Sequence, residues 1–160
     1  MELHSRSPAE TRALARVLAD QIDARGLVVA LVGQLGAGKT VFVKGLAEGL
    51  DVDEGLLSSP SFVIANELKT PGGVRLVHAD LYRVESEGEL ESAGWLDWLA
   101  PGSVVAIEWG DRFPRALPRD HLEVRLSGAD ADRPERRILE MRAGGPVSQT
   151  ALERWSQHWP

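Results

Sequence analysis

The chain contains no cysteine, and this absence excludes disulfide bonds, thiol catalysis and cysteine-ligated zinc. It also has no apolar run approaching the roughly 18 residues that a membrane-spanning helix needs. The stretch from Met1 to Arg6 lacks the apolar core of a secretion signal, so we expect a cytoplasmic protein. The four histidines are scattered without the spacing of metal ligands.

Positive charge is scarce: the net charge is −6, and three lysines stand beside fifteen arginines. This balance argues against a broad basic face that would hold nucleic acid directly. The charge is also uneven, since Asp80 to Leu99 contains six carboxylates and one arginine, whereas eight arginines fall between Arg112 and Arg142. The acidic stretch is either a solvated helix face or a docking surface for a partner.

One motif organises the rest of the chain. The segment Gly33 to Thr40 reads GQLGAGKT and matches the pattern G-x-x-x-x-G-K-[ST]. An apolar, strand-like run from Leu27 to Val32 precedes it, and a helix-patterned segment from Val41 to Leu50 follows. A strand before and a helix after the motif are the context that a phosphate-binding loop requires.

The residue types of this loop suit phosphate chemistry. Its glycines let the backbone wrap around phosphate oxygens with several amide hydrogens directed inward. Lys39 would supply a cation to the β- and γ-phosphates, and the Thr40 hydroxyl would ligate Mg²⁺. The alternative is a glycine-rich turn with an accidental lysine, against which the scarcity of lysine argues.

The remaining patterns predict an α/β fold. A capping box at Ser7-Pro8-Ala9-Glu10 begins a helix that should end near Arg25-Gly26. Further strands are predicted over Phe62–Leu68, Val74–Ala79, Ser103–Ile107, His121–Ser127 and Arg136–Met141, the last two as an antiparallel edge, with a terminal helix over Thr150–Trp159. We expect a three-layer fold like that of P-loop NTPases, with a mostly parallel sheet, antiparallel edge strands and a C-terminal helix. Residues 1–142 would form the ATPase domain, and residues 143–160 a helical extension that is not a separate domain.

Two carboxylates at the ends of predicted strands complete the predicted site. Glu108 follows the apolar run Val104 to Ile107, and Asp80 follows a strand interrupted by His78. A phosphate-binding loop needs an acidic residue to organise the magnesium shell, and two such residues suggest one for the metal and one for the attacking water. The hydroxyl-rich Ser59-Pro60-Ser61 is either a switch segment or only a turn. Because the guanine-reading N-K-x-D element is absent, ATP is favoured over GTP.

In this order the motifs resemble the TsaE family, also called YjeE, the ATPases of bacterial tRNA threonylcarbamoyladenosine synthesis. The matching residues are Glu10-Thr11, Leu35 to Thr40, Ser59 to Phe62, His78, Asp80-Leu81-Tyr82-Arg83, Gly94 and Glu108-Trp109. Two positions depart from the family pattern: Ser61 stands where threonine is usual, and Val41 where a second threonine is usual.

The resemblance implies roles for individual residues. ATP or ADP would be bound by Thr11, Gly33, Leu35, Gly36, Ala37, Gly38, Lys39 and Thr40, with Thr11 near the base. Mg²⁺ would be held by Thr40 and Glu108, hydrolysis would depend on Lys39, Asp80 and Glu108, and the switch positions would be Ser59, Ser61 and Trp109. The resemblance also implies work with TsaD and TsaB on the adenosine beside the tRNA anticodon, so that tRNA is contacted through the complex.

Two other function classes stay open from the residues alone. A small-molecule kinase would use Arg112, Arg115 and Arg119 as a lid over the transferred phosphoryl group, although no second constellation offers an acceptor base. The second is a nucleotide-dependent binding module that hydrolyses little ATP by itself. It differs only in degree from the preferred interpretation, an ATPase that works in a complex.

Overall fold

The computed structural model describes residues 1–57, 64–128 and 130–159. The strands are β1 (Glu2–Ser5), β2 (Leu27–Val32), β3 (Ala65–Lys69), β4 (Arg75–Asp80), β5 (Ser103–Glu108), β6 (Leu122–Gly128) and β7 (Arg137–Ala143). The helices are α1 (Pro8–Ala19), α2 (Lys39–Gly49), α3 (Glu87–Ala93), α4 (Trp95–Trp98) and α5 (Pro146–His158), with a 3₁₀ turn at Glu54–Leu56. No helix in these ranges is long and apolar enough to cross a membrane.

The strands form a single mixed sheet in the order β1-β7-β6-β2-β5-β4-β3. The four central strands, β6, β2, β5 and β4, run parallel, whereas β3 is antiparallel to β4, and β7 and β1 extend the other side antiparallel. β2 and β5 are apolar almost throughout because both of their faces are covered. The predicted fold class is confirmed: the sheet is parallel in its centre and antiparallel at both edges.

Helices cover both faces of this sheet. Alternate residues of β5 point to opposite sides, so that Val104 and Ala106 join one apolar cluster and Val105 and Ile107 join the other. The first cluster is completed from α1, α2 and α5, and the second from α3 and α4. Trp95 and Trp98 are 3% and 4% exposed in the second cluster.

The N-terminal strand β1 is absent from the sequence prediction. Its four residues, Glu2 to Ser5, carry no apolar alternation, and they join the sheet by backbone pairing with Arg137 to Glu140. The predicted antiparallel pairing of β6 with β7 is confirmed. The prediction that this pair forms the edge of the sheet is wrong, because β1 lies outside β7.

The first and last helices also differ from their predicted bounds. α1 ends at Ala19, before the predicted Arg25-Gly26, and only a turn continues beyond it. α5 begins at Pro146 instead of Thr150, because the Asp120 carboxylate accepts the backbone N–H groups of Val147 and Ser148 at 2.8 and 3.0 Å. A cap supplied from a distant residue leaves no local signal. Trp155 of α5 is fully buried in the first cluster, and the domain division at residue 142 stays a prediction.

Candidate functional site: the phosphate loop and its two clefts

The parallel register brings the phosphate loop beside both predicted carboxylates. β5 pairs with β2 and with β4, so that Glu108 lies opposite Leu31 on one side and Asp80 on the other. The loop leaves β2 one residue later, after Val32, and enters α2 at Lys39. Carboxyl ends of parallel strands therefore gather the loop and the two acids at one edge of the sheet.

Two glycines of the loop are required by its geometry. Gly38, the residue that caps α2, has φ 103°, a left-handed conformation that residues with a Cβ rarely adopt. A Cβ at Gly33 would lie 2.5 Å from the carbonyl oxygen of Leu126. The loop is thus held close to β6 while its backbone turns into the N-terminus of α2, where free N–H groups and the helix dipole favour an anion.

Lys39 is folded back onto this loop. Its Nζ donates to the carbonyl oxygens of Gly33 and Gln34 at 2.6 and 2.8 Å, and it lies 4.0 Å from the centroid of the Trp109 ring. Burial lowers the pKa of Lys39, and the carboxylates of Glu108, Asp80 and Asp111 oppose that shift. The Lys39 ammonium group therefore lies at the phosphate loop, and the carboxylates near it balance its positive charge.

A hydrogen bond joins Thr40 of the loop to Glu108 of β5. The Thr40 hydroxyl donates to Glu108 Oε1 at 2.6 Å, and Glu108 is 4% exposed. His78 Nε2 lies 3.8 Å from the same oxygen, which is beyond hydrogen-bonding distance. Within the described part of the chain neither nitrogen of the buried His78 ring has a hydrogen-bond partner.

The environments of the two carboxyl groups shift their pKa values in opposite directions. Burial raises the pKa of Asp80, the nearby Glu108 carboxylate raises it further, and the bond from the Tyr82 N–H opposes both. Burial also raises the pKa of Glu108, but the His78 ring, the Thr40 hydroxyl and the Lys39 charge outweigh it, so the net pKa is lowered. Glu108 is therefore the persistent anion of the pair, and Asp80 holds a proton to higher pH.

Aromatic side chains form the outer wall of the site. Trp109 has φ 59°, a strained value for a residue with a Cβ, and its ring lies 5.0 Å from that of Tyr82. Tyr82 is 51% exposed, and Leu35 at the tip of the loop is 84% exposed. Together with Lys39, Thr40, Asp80 and Glu108, these residues line a cleft of about 300 Å³.

A second cleft lies on the other side of the same loop. It measures about 520 Å³ and is lined by Gly33 to Ala37, Arg125 to Gly128 and Arg137. Arg125 and Arg137 are absent from the sequence-based site, because nothing near them in the sequence marks them for phosphate chemistry. Their position follows from strands β6 and β7, which reach the loop only in the folded chain.

Not every predicted site residue lies beside these clefts. Thr11 is 1% exposed, its hydroxyl is 2.7 Å from that of Ser5, and it is not among the residues that line either cleft. Its place near a base stays a prediction. Ser59 and Ser61 lie outside the described residues. The structure brings together the loop from Gly33 to Thr40 with Asp80, Glu108 and Trp109.

A glycine-rich loop between a central strand and a helix, with an acidic residue on the adjacent parallel strand, defines the P-loop class of α/β proteins. The structure is similar to the crystal structure of Bacillus subtilis YdiB, with a TM-score of 0.76 and 30% sequence identity, covering 99% of this chain and 95% of that one. Residues 5–138 match the family described as threonylcarbamoyl adenosine biosynthesis protein TsaE. The chain belongs to the TsaE family.

Proteins named "tRNA threonylcarbamoyladenosine biosynthesis protein TsaE" are similar over most of the sequence. The protein of that name from Bacillus subtilis is 34% identical over 152 residues, which are 95% of this chain and 91% of the relative. The one from Streptomyces coelicolor is 40% identical over 148 residues, which are 91% and 93% of the two chains. The one from Mycobacterium tuberculosis H37Rv is 40% identical over 124 residues, 73% of each.

The opposed carboxyl environments predict an unusual effect of Asp80→Asn on stability. The pKa of Asp80 is raised above its ordinary 3.8, so the folded chain keeps a proton on this carboxyl group at pH values where the unfolded chain has already lost it. Ionisation of Asp80 at neutral pH therefore destabilises the fold. Asp80→Asn should therefore be more stable than the parent at about pH 7, with the gain shrinking towards about pH 4. Urea unfolding across this pH range measures the difference. The exposed Asp132→Asn is the control, and a uniform loss for Asp80→Asn at every pH would contradict the assignment.

Proposed function

We propose that this protein binds ATP and ADP with Mg²⁺ at the phosphate loop and hydrolyses ATP as a subunit of the machinery that threonylcarbamoylates the adenosine beside the tRNA anticodon. The observation that carries the proposal is the 2.6 Å bond between Thr40 and Glu108 at the mouth of the loop. It joins the hydroxyl that a phosphate loop offers to a metal with an ionised carboxylate from the neighbouring parallel strand.

The loop supports phosphate binding through its backbone and through Lys39. The N-terminus of α2 presents N–H groups that have no partner inside the helix, and these favour the oxygens of a β-phosphate. Lys39 now donates to two loop carbonyls, so a bound nucleotide would exchange those contacts for charge-assisted bonds to phosphate. The Trp109 ring packs against the same ammonium group, so the surroundings of the ring would change with that exchange.

The donor set of the cleft fits Mg²⁺. Its oxygen ligands would be the Thr40 hydroxyl and the Glu108 carboxylate, either directly or through water, and hard oxygen donors are those that Mg²⁺ prefers. Among the described residues no group of three or more His, Cys, Asp or Glu side chains could hold a metal ion, and Mg²⁺ usually takes several of its ligands from water and phosphates. Bound there, the ion would neutralise charge on the phosphate oxygens.

The unequal carboxyl groups support a division of labour in hydrolysis. Glu108 stays ionised beside Thr40 and suits the metal shell. Asp80 lies next to it with a raised pKa and lines the same cleft, so it suits the orientation of the attacking water or the transfer of its proton. Lys39 stabilises the negative charge of the transferred phosphoryl group.

The names of the relatives support the part of the proposal that concerns tRNA modification. These relatives are named for threonylcarbamoyladenosine biosynthesis, and the net charge of −6 disfavours direct binding of tRNA by this chain. From the resemblance to the TsaE family, we further propose that the chain works in a complex with TsaD and TsaB, with tRNA bound through the complex. The exposed carboxylates between Glu85 and Glu91 suit a docking face, and a purely solvated face is the alternative.

The kinase alternative receives less support from the structure. Its lid would require free arginines above the cleft, but the Arg112 guanidinium donates to the Val84 carbonyl at 2.6 Å. That bond ties the segment after Trp109 to the segment after Tyr82, which is a structural role. ATP turnover without any acceptor distinguishes hydrolysis from phosphoryl transfer to a small molecule.

Loss of the Lys39 ammonium should reduce nucleotide affinity. Lys39→Ala removes a charge-assisted contact of about 2 kcal/mol or more, so the affinity for ADP and Mg²⁺ should fall at least about thirtyfold. Calorimetry on the folded variant measures this change. Lys69→Ala, on the exposed side of β3, is the matched control and should bind as the parent does. Unchanged ADP affinity in Lys39→Ala would refute nucleotide binding at this loop.

The different roles proposed for the two carboxylates predict different effects for Glu108→Gln and Asp80→Asn. Glu108→Gln should weaken the Mg²⁺ dependence of nucleotide binding because the ionised neighbour of Thr40 is lost. Asp80→Asn should bind nucleotide with Mg²⁺ within about twofold of the parent and lower the hydrolysis rate by about 10² or more, the range of a lost general base. Binding and single-turnover hydrolysis are measured on both. The same profile in both variants would show that the roles are not divided.

Reconstitution tests the proposed place in tRNA modification. The isolated chain should hydrolyse ATP slowly, associate with a TsaD–TsaB pair in an ATP-dependent manner, and be required for many cycles of tRNA modification. Formation of threonylcarbamoyladenosine is measured with the pair alone, with the parent and with Lys39→Ala. The proposal fails if the pair completes many cycles equally well without this chain, or if Lys39→Ala supports the reaction as the parent does.

A further inference from the structure

Arg137 connects the antiparallel edge of the sheet to the phosphate loop. Its Nε donates to the carbonyl of Ala37 at 2.9 Å, and its Nη2 donates to the carbonyl of Gly36 at 3.1 Å. Its Nη1 donates to the carbonyls of Pro134 and Arg136. The planar guanidinium thus bridges two consecutive carbonyls of the loop to the segment that leads into β7.

The hydrogen bonds from Arg137 also constrain the direction of N–H groups inside the loop. In a trans peptide the carbonyl and the amide N–H point in opposite directions. By fixing the carbonyls of Gly36 and Ala37, Arg137 also fixes the direction of the next N–H groups, those of Ala37 and Gly38. The Ala37 N–H is bonded to the carbonyl of Gln34 at 3.1 Å, and the Gly38 N–H lies at the start of α2, where an anion is favoured.

The glycines of the loop make such an external support necessary. Gly36 and Gly38 both have positive φ, at 77° and 103°, and neither carries a side chain that could hold the backbone in place. Glycine loses more conformational freedom on ordering than any other residue. A loop that must present N–H groups to phosphate gains affinity when a rigid neighbour orders it before the ligand arrives.

We propose that Arg137 is a positioning residue for phosphate binding, which orients the amides of the loop by holding the outward carbonyls of Gly36 and Ala37. Four hydrogen bonds use most of its five N–H donors, and two of them go to the carbonyls of the loop, so the guanidinium is committed mainly to protein carbonyls. This inference rests on the proposed binding of nucleotide at the same loop.

Two substitutions separate positioning from a direct effect of charge. Arg137→Lys keeps the positive charge but lacks the planar fork that spans two carbonyls, and Arg137→Gln lacks both. ADP affinity in the presence of Mg²⁺ should fall about tenfold or more in both variants, because neither side chain can bridge the carbonyls of Gly36 and Ala37 as the guanidinium does. Arg142→Gln, an exposed arginine on the same strand, is the matched control and should bind within about twofold of the parent.

Thermal unfolding with and without ADP supplies the readout that a general structural role would not move. A general role would lower the melting temperature equally in both conditions and leave ADP affinity unchanged, whereas positioning reduces the stabilisation by ADP itself.

Equal ADP affinity in the parent and both variants overturns the inference. Retained affinity in Arg137→Lys alone also overturns it, because charge without geometry would then be sufficient. If Arg137→Gln does not fold, Arg137→Lys decides. If the parent itself does not bind ADP, the proposed function fails and this inference fails with it.

Discussion

The parallel pairing of β5 with β2 and β4 is the constraint on which the site depends. One register places Glu108 beside Leu31 and opposite Asp80, at the edge where the chain leaves β2 for the phosphate loop. A shift of one residue would turn each side chain to the other face of the sheet, so this register is tied to the packing of both apolar clusters. The core that stabilises the fold therefore also sets the distance between Thr40 and Glu108.

Charges buried at this edge balance one another. Lys39 and Glu108 are 6% and 4% exposed, and an isolated charge at such a position would be strongly destabilising. Lys39 is bonded to loop carbonyls and faces Trp109, and Glu108 is bonded to Thr40, so each charge has partners before any ligand binds. Burial raises the pKa of Asp80 and lowers that of Lys39, so for both groups the environment disfavours the charged form, whereas the pKa of Glu108 is lowered.

The two sides of the sheet make different contributions to the loop. The parallel side, β5 and β4, supplies the carboxylates and the aromatic wall of the smaller cleft. The antiparallel side, β6 and β7, supplies close backbone packing at Gly33 and the carbonyl contacts of Arg137. The phosphate loop is thus contacted from both directions, by carboxylates and aromatic rings on one side and by backbone packing and the Arg137 guanidinium on the other.

The sequence alone determined the features whose causes are local. The phosphate loop is one contiguous motif, the central strands are uninterrupted apolar runs, and Glu108 and Asp80 directly follow such runs, so that their shared edge could be inferred from the parallel topology that the pattern predicts. The hairpin between β3 and β4 also has a local cause, since the turn-forming residues Pro71, Gly72 and Gly73 lie between the two paired strands.

Tertiary structure decided the features that depend on contacts between distant residues. β1 joins the sheet through its backbone, and Asp120 caps a helix that begins 26 residues later, so neither leaves an apolar or capping pattern in its own segment. The buried His78 ring, whose nitrogens have no hydrogen-bond partner among the described residues, and the bonds from Arg137 to the loop likewise arise only when segments far apart in sequence become neighbours. Side-chain periodicity reports which face of an element is buried, and it carries no information about which distant residue will meet it there.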